Sequence, residues 1–137
     1  MANPNVERVY ELLAAYSQGD EAKLRASTDP EAETYGAPGI VNAGTYYGYE
    51  GFLQWSREWE EAWQELNYEL LEVTEVGESI VVASVHAVGR GASSGVEIDT
   101  VFGWMYEFRN GLLTRFHVYS TVDEAMETAQ QLAVAQS

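Results

Sequence analysis

Two histidines are the side chains best suited to move protons near neutral pH in this sequence, because an unperturbed imidazole has a pKa of about 6.5. His86 lies in an apolar run, residues 80–88, and shares one face of it with Ser84. We assign that face to the interior of a curved sheet, where His86 would act as a general acid or base on a bound molecule. The alternative is a core or rim histidine satisfied by one hydrogen bond. Ser84 either supports the imidazole ring or leaves room for it.

The other ionisable residues suggest neither a second catalytic group nor a metal site. His117 has the opposite phase to its neighbours Phe116 and Val118, so we place it on the outer sheet face. Glu97 and Asp99 are two residues apart, but no histidine or third ligand adjoins them, so no metal site is expected. The chain has no cysteine and therefore no disulfide or thiolate nucleophile. No cofactor is expected.

Bulky aromatic residues dominate one face of the longest alternating segment, residues 96–108. Trp104 and Tyr106 share that face at a period of two. Asn110-Gly111 follows and predicts a tight hairpin, since a type I′ turn needs positive φ at both central residues. The next run places Val118 on the corresponding face. These residues predict an apolar cavity for a small molecule, and they equally suit a filled core.

A second aromatic stripe has helical spacing and predicts an amphipathic helix. Its members recur at three- and four-residue steps: Phe52, Trp55, Trp59, Trp63 and Leu66. Trp55 and Trp59 are either core residues or a platform for a ligand. Tyr16 and Tyr35 are candidate hydroxyl donors to a ligand carbonyl, although buried tyrosines also commonly have structural partners.

Composition limits the partners that this chain is expected to have. Its 137 residues suit one domain, 1–137, and 46% hydrophobic residues are enough for a core. With 22 acidic residues against 7 lysines and arginines, the net charge is −15, which disfavours nucleic acid and anionic membranes. The first residues lack the pattern of a signal peptide, and no apolar run approaches the roughly 18 residues of a membrane span. We therefore expect a cytoplasmic protein.

Local signals predict the order of the elements. Asn3-Pro4 begins a helix that ends at Gly19, and Asp20 caps a second, short helix that ends near Ala26. A short strand at 32–35 and a glycine-rich loop at 36–51 precede the aromatic helix. Four antiparallel strands follow, at 68–76 with a bulge at Leu70-Leu71, then at 80–88, 96–108 and 112–121. A capping-box spacing from Thr121 to Glu124 begins the last helix. This order predicts an α+β domain.

The order and several short motifs together resemble the SnoaL-like members of the NTF2-like superfamily. The motifs span nearly the whole chain: Asp29-Pro30, Gly48-Tyr49-Glu50-Gly51, Gly77-Glu78, Gly89-Arg90-Gly91, Ser94-Gly95, Arg109-Asn110-Gly111, Tyr119 and Glu124-Ala125. The resemblance implies a cone, in which a strongly bent, mostly antiparallel sheet wraps helices and encloses a pocket. Enzymes of this superfamily include polyketide cyclases, ketosteroid isomerases and limonene-epoxide hydrolases.

The catalytic carboxylates of these enzymes are missing at the matching positions. Ketosteroid isomerases carry a carboxylate just before a proline after the first strand, where this chain has Ala37-Pro38. The aspartate that cyclases and epoxide hydrolases carry on the last strand corresponds to Val118, and the arginine–aspartate pair of the hydrolases corresponds to Ser84 and His86. His86 is therefore the remaining candidate base.

Two functions stay open at this point. In the first, the cone binds a small, largely apolar, ring-containing molecule, and any catalysis is cofactor-free isomerisation, cyclisation or hydration. In the second, the chain is a non-catalytic dimeric binding or interaction module whose own aromatics fill the cavity. A pocket of about 300 Å³ or more that exposes His86 would favour the first, and a pocket plugged by Trp104 and Tyr106 would favour the second.

The alternation pattern also predicts a homodimer. Five apolar residues share the outer phase with His117: Val85, Ala87, Val101, Met105 and Tyr119. A monomer would expose this surface, and monomers rarely expose apolar patches larger than a few hundred Å². We therefore expect two copies to pack through the outer face of the sheet.

Overall fold

The computed structural model describes residues 4–136, which form four helices and six strands. The helices are α1 (Pro4–Gln18), α2 (Glu21–Ala26), α3 (Gly48–Glu61) and α4 (Val122–Gln136). The strands are β1 (Thr28–Gly36), β2 (Gly44–Tyr47), β3 (Trp63–Val76), β4 (Ile80–Gly91), β5 (Glu97–Arg109) and β6 (Leu112–Tyr119). The predicted α+β class is confirmed. Asn3, the proposed first cap, lies outside the described residues.

Side chains cap two of these helices as their sequences predict. The Asp20 carboxylate accepts the backbone N–H of Lys23 at 3.1 Å and begins α2. The Thr121 hydroxyl accepts the backbone N–H of Glu124 at 3.1 Å at the start of α4. Each cap satisfies a backbone donor that would otherwise lack an intrahelical partner.

All six strands form one sheet in the order β2-β1-β6-β5-β4-β3. Strand β1 runs parallel to β6, and the other neighbours are antiparallel. Asn110 and Gly111 have φ values of 53° and 80°, which confirms the tight turn between β5 and β6. The register of β3 on β4 shifts between Leu70 and Glu72, which confirms the bulge.

Three predicted boundaries are wrong. Strand β1 begins at Thr28 and passes through Asp29-Pro30, and α3 begins at Gly48, inside the predicted loop. Helix α3 ends at Glu61, so Trp63 and Leu66 belong to β3, where they pair with Gly91 and Gly89. The spacing of Trp63 and Leu66 is helical, but both residues pair with the long strand β4. Tertiary contacts therefore override the local pattern here.

The register between β4 and β5 corrects the predicted faces of β4. Ala83 pairs with Trp104 and Val85 with Phe102, whereas His86 pairs with Val101. Partners in register lie on the same face of a sheet, so Val85 and Ala87 face inward, while His86 and Ser84 lie on the outer face. Alternation did not reveal this, because β4 is buried on both faces along most of its length.

Helix α4 covers much of the outer sheet face. Ala125 and Ala129 are fully buried, and α4 contacts β5 most extensively. Beneath the helix, Met105 is 0% and Tyr119 7% exposed, whereas Val101 remains 38% exposed. The apolar outer surface from which a dimer was predicted is therefore largely buried within one chain.

Candidate ligand-binding site

An aromatic cavity lies between the inner sheet face and the first three helices. Its free volume is about 60 Å³. None of the charged side chains among residues 4–136 lines it. The lining residues are Leu12, Leu13, Tyr16, Leu24, Thr28, Phe52, Trp55, Trp59, Tyr68, Trp104, Tyr106, Leu113 and Phe116.

Five of the residues predicted to bind a ligand meet in this cavity. They are Tyr16, Trp55, Trp59, Trp104 and Tyr106. Val118 is on the same sheet face, opposite Trp104 in register, but it is fully buried and does not line the cavity. Its small side chain packs behind the aromatic layer.

Three predicted site residues lie away from the cavity on the other face of the sheet. Tyr35 pairs with His117 in register, and the centroids of the two rings are 5.1 Å apart. Ser84 pairs with Gly103 and His86 with Val101. The proposed role of His86 as an acid or base inside the cavity therefore has no geometric basis, since the sheet separates the imidazole from that space.

The rings of the cavity wall hold one another in place. Phe116 meets Trp55 and Trp104 edge-to-face, with centroid distances of 5.4 and 5.6 Å. Trp55 stacks on Trp59 at 5.4 Å with an interplanar angle of 12°. Such pairs contribute roughly 0.5–1.5 kcal/mol each beyond the area they bury. The wall is accordingly a rigid aromatic surface that suits another ring.

Two indole donors in this wall have no partner. The Nε1–H groups of Trp55 and Trp104 are buried and make no hydrogen bond to any described residue. An unmet buried donor typically costs about 1–3 kcal/mol, and most buried polar groups in proteins are paired. A bound molecule with a hydrogen-bond acceptor would remove that cost.

Three phenols line the same space, and one of them is bonded to a carboxylate outside it. The Tyr16 hydroxyl donates to Glu60 Oε1 at 2.6 Å. Burial raises the pKa of Tyr16, and the adjacent Glu60 raises it further. Burial likewise raises the pKa of Tyr68 and of Tyr106. All three phenols therefore stay protonated at neutral pH and serve as hydrogen-bond donors.

Sequence reasoning missed Glu60 and several lining residues, among them Tyr68, Phe52 and Phe116. Phe116 shares its phase with Val118, so the alternation of β6 contained the signal. Tyr68 pairs with Ala87 and reaches the inner face only through the correct register of β4. Glu60 is exposed near the end of α3, and no sequence pattern sets it apart from the neighbouring glutamates.

His86 instead forms an ion pair on the outer face. Its Nε2 lies 2.6 Å from Asp99 Oδ1, and the two side chains are 35% and 74% exposed. Exposed pairs of this kind typically contribute roughly 0–1 kcal/mol to stability. The geometry fits a surface contact between β4 and β5.

His117 lies at the centre of a buried polar chain on the outer face. Its Nε2 is 2.7 Å from Glu33 Oε2, and its Nδ1 is 2.9 Å from the Tyr119 hydroxyl. A neutral imidazole satisfies both contacts when Nε2–H donates to the carboxylate and Nδ1 accepts from the phenol. Tyr119 also bonds to Thr128, which links the chain to α4.

This polar chain predicts a pH-dependent stability. Burial lowers the pKa of His117, although Glu33 partly opposes the shift. As the pH falls below about 6.5, the unfolded chain binds the proton first, so the free energy of unfolding should decrease until the pH reaches the folded pKa. Denaturant titrations of the wild type and His117→Gln from pH 7.5 to 5 should show that the wild type loses more of its free energy of unfolding than the variant does. If the free energies of unfolding of the two proteins fell by the same amount over this pH range, the proposed contribution of His117 would be contradicted.

The described residues offer neither a metal site nor a membrane-spanning helix. Within residues 4–136, no group of three or more histidine and acidic side chains is arranged to hold a metal ion. In the same part of the chain, no helix has the length and apolar character needed to cross a membrane. The cytoplasmic location stays a prediction from the sequence.

Comparisons with known proteins agree with this architecture. A family model described as a SnoaL-like domain matches residues 6–116. No match was found among curated protein sequences.

Solved structures extend the likeness to most of the chain. An NTF2-like protein from Burkholderia thailandensis is 21% identical, with a TM-score of 0.76, over 92% of this chain and 98% of that one. A second, from Burkholderia pseudomallei, is of unknown function and 20% identical, with a TM-score of 0.74, over 93% and 97% of the two chains. TerC, co-crystallised with polyporic acid, is 18% identical, with a TM-score of 0.72, over 93% and 98%. Identities this low show a shared fold alone.

Proposed function

Because this chain belongs to the SnoaL-like domain family, we propose that it binds a small, largely apolar, ring-containing molecule with a hydrogen-bond acceptor in the aromatic cavity. The observation that carries the proposal is the pair of buried, unpartnered indole donors of Trp55 and Trp104. A carbonyl oxygen would accept from one or both of them, while the ring would pack against the aromatic wall. The absence of charged lining residues favours a neutral ligand.

The size of the cavity limits the ligand to about one ring and requires side chains to move. The free volume of about 60 Å³ is below the roughly 150 Å³ of an apolar cavity that accepts benzene. Tyr16 and Phe52 are only partly buried, and their rings contact each other edge-to-face at 6.1 Å. We propose that the Phe52 side chain swings outward to admit the ligand, while Tyr16 keeps its hydrogen bond to Glu60.

A relative supports the binding of a small molecule by this fold. TerC, which shares the fold, was co-crystallised with polyporic acid. Any proton transfer on a ligand in the cavity of the present chain would fall to Tyr16 and Glu60, because their hydrogen bond lies at the cavity and His86 is on the opposite sheet face. Such chemistry would need no cofactor.

A matched pair of probes tests the indole donors. Acetophenone carries a carbonyl acceptor, and ethylbenzene has nearly the same shape without one. We expect Trp104→Phe to weaken acetophenone binding about three- to tenfold, because one neutral hydrogen bond contributes roughly 0.5–1.5 kcal/mol. The affinity would be measured from the indole N–H resonance of Trp55, which reports on this cavity.

Ethylbenzene provides the control for this experiment. Its affinity should be unchanged or slightly higher in Trp104→Phe, since the variant keeps an aromatic wall and removes an unmet donor. An equal loss of affinity for both probes would attribute the effect to packing and contradict the role of the N–H group. Failure of acetophenone to bind the wild type would contradict the proposed function itself.

The small free volume favours one alternative. Trp104 and Tyr106 are in the cavity wall and only about 60 Å³ is free. These features also suit a non-catalytic interaction module whose own side chains fill the cavity.

For either function we propose a homodimer through the part of the outer sheet that α4 leaves open. Val101, 38% exposed, pairs there with His86, and Val88, 43% exposed, lies two residues further along β4. Light scattering at micromolar concentration should give a dimer mass, and a monomer mass would exclude this assembly.

A further inference from the structure

The aromatic cavity opens to solvent beside the end of α3. Tyr16 and Tyr68 both line the cavity, yet Tyr16 is only partly buried and Tyr68 is 39% exposed. Glu60, an exposed residue, lies at this opening, because the Tyr16 hydroxyl donates to its Oε1 atom at 2.6 Å. The carboxylate of Glu60 is therefore one hydrogen bond away from the cavity, on its solvent side.

Glu60 carries a charge that the chain itself does not neutralise. No lysine, arginine or histidine among residues 4–136 forms an ion pair with it, and the ion pairs in that part of the chain join other acids. Arg57, the nearest basic residue along the sequence, is exposed on α3 and does not reach Glu60. A cation that approaches the mouth of the cavity therefore meets a carboxylate that has no counterion.

The negative charge of Glu60 acts on the cavity wall itself. Burial raises the pKa of Tyr16 and of Tyr68, and in both phenols the nearby charge of Glu60 raises the pKa further. Two residues from different elements, α1 and β3, are therefore exposed to the same negative potential. A potential that disfavours a phenolate at this place attracts a cation to it.

The interior and the mouth of the cavity differ in the charge that they accept. None of the charged side chains among residues 4–136 lines the interior, so an ammonium group buried there would lose its hydration without gaining a partner. At the mouth the same group keeps contact with water and meets Glu60. The net charge of −15 also attracts cations to the chain and repels carboxylates and phosphates.

We infer that the ligand of the aromatic cavity is an aryl ketone that carries a cationic amino group on the side of the ring opposite to its carbonyl. The inference rests on the proposed function, in which the ring fills the interior and the carbonyl accepts from the buried indoles of Trp55 and Trp104. The ammonium group then projects through the mouth to Glu60. Because para substituents lie on opposite sides of a benzene ring, para-acetylbenzylammonium is a simple molecule with this arrangement.

Three matched probes test the inference in the ¹⁵N-labelled wild type, with affinities measured from the indole N–H resonances of Trp55 and Trp104. The probes share one aryl ketone and differ in charge: para-acetylbenzylammonium, para-(hydroxymethyl)acetophenone and para-acetylbenzoate. The ammonium probe should bind about two- to fivefold more tightly than the hydroxymethyl probe, as expected for one exposed ion pair, and the benzoate should bind most weakly. Salt at about 0.5 M should remove both differences, because it screens exposed charges. Equal affinities at low salt, or a preference that salt leaves unchanged, would overturn the inference.

Two surface variants locate the charge that the ammonium probe recognises. Glu60→Gln should lower the affinity of this probe to that of the hydroxymethyl probe, because the amide oxygen still accepts the Tyr16 hydroxyl but carries no charge. Glu61→Gln is the matched control, since Glu61 is also exposed at the end of α3 but is not the acceptor of the Tyr16 hydroxyl. It removes the same net charge and should keep the preference for the ammonium probe. An equal loss of preference in the two variants would overturn the role of Glu60.

The neutral probe separates this inference from the proposed function. If para-(hydroxymethyl)acetophenone binds and the ammonium probe binds no more tightly, the cavity still takes an aryl ketone and the cationic substituent alone is excluded. If no probe shifts the resonances of Trp55 and Trp104, the proposed function fails and this inference fails with it.

Discussion

Replacing Trp59 with alanine is expected to lower the free energy of unfolding by about 3–5 kcal/mol, the usual cost of truncating a buried tryptophan. Trp59 is only 4% exposed, stacks on Trp55, and meets Trp63 and Phe102 edge-to-face. Its removal would leave a cavity among the rings of Trp55, Trp63 and Phe102, which other side-chain contacts hold in place. Thermal melting should show a decrease of roughly 10 °C or more, or the variant should fail to fold.

Tyr47→Ala is the matched control for that experiment. Tyr47 is 69% exposed, so loss of its ring should change stability by no more than about 0.5 kcal/mol. If Trp59→Ala melted at the same temperature as the wild type while Tyr47→Ala melted at a lower one, the packing of α3 against the sheet described above would be contradicted.

Gly103→Val is expected to displace α4 from the outer sheet face. A Cβ atom at this position would lie 2.5 Å from the Thr121 carbonyl oxygen, 2.7 Å from Ala125 Cβ and 2.8 Å from Val122 Cα. Two of these atoms are backbone, so the first turn of α4 would have to move. The cost should reach or exceed about 3 kcal/mol, the upper end of ordinary overpacking. Hydrogen exchange should show lost protection along α4.

Val101→Ala is the matched control, because it changes a side chain on the same strand and the same sheet face as Gly103. Val101 is 38% exposed and two residues from Gly103, so its truncation should leave the protection of α4 amides intact. Unchanged exchange in Gly103→Val would show that α4 does not pack against β5 as described.

Much of the fold was predictable because local interactions determine it. The carboxylate of Asp20, the hydroxyl of Thr121 and the positive φ angles of Asn110-Gly111 act within a few residues of their own positions. Their sequence signals are therefore specific. The end of α3 was not predictable in this way, since Trp63 continues the helical spacing but pairs with Gly91, a residue distant along the chain.

The site was predictable where aromatic side chains share one face of an element. Trp104 and Tyr106 were assigned to the cavity from the aromatic face of β5 and from the family resemblance, and both line the cavity. His86 was misplaced because β4 is covered by α4 on one face and by the aromatic core on the other, so its alternation does not distinguish inside from outside. Tyr35 was misplaced because its face depends on a parallel pairing with β6 across 82 positions of sequence, which no local pattern encodes.

Binding of a ring-containing carbonyl compound in the aromatic cavity is tested most directly by the four indole N–H resonances of the ¹⁵N-labelled wild type. During titration with acetophenone, we expect the resonances of Trp55 and Trp104 to shift together, along one saturable curve, and their exchange with solvent to slow as the donors become hydrogen-bonded. Resonances of Trp55 and Trp104 that stay unmoved up to about the solubility limit of the probe would contradict the account and leave an aromatic core that is filled by its own side chains.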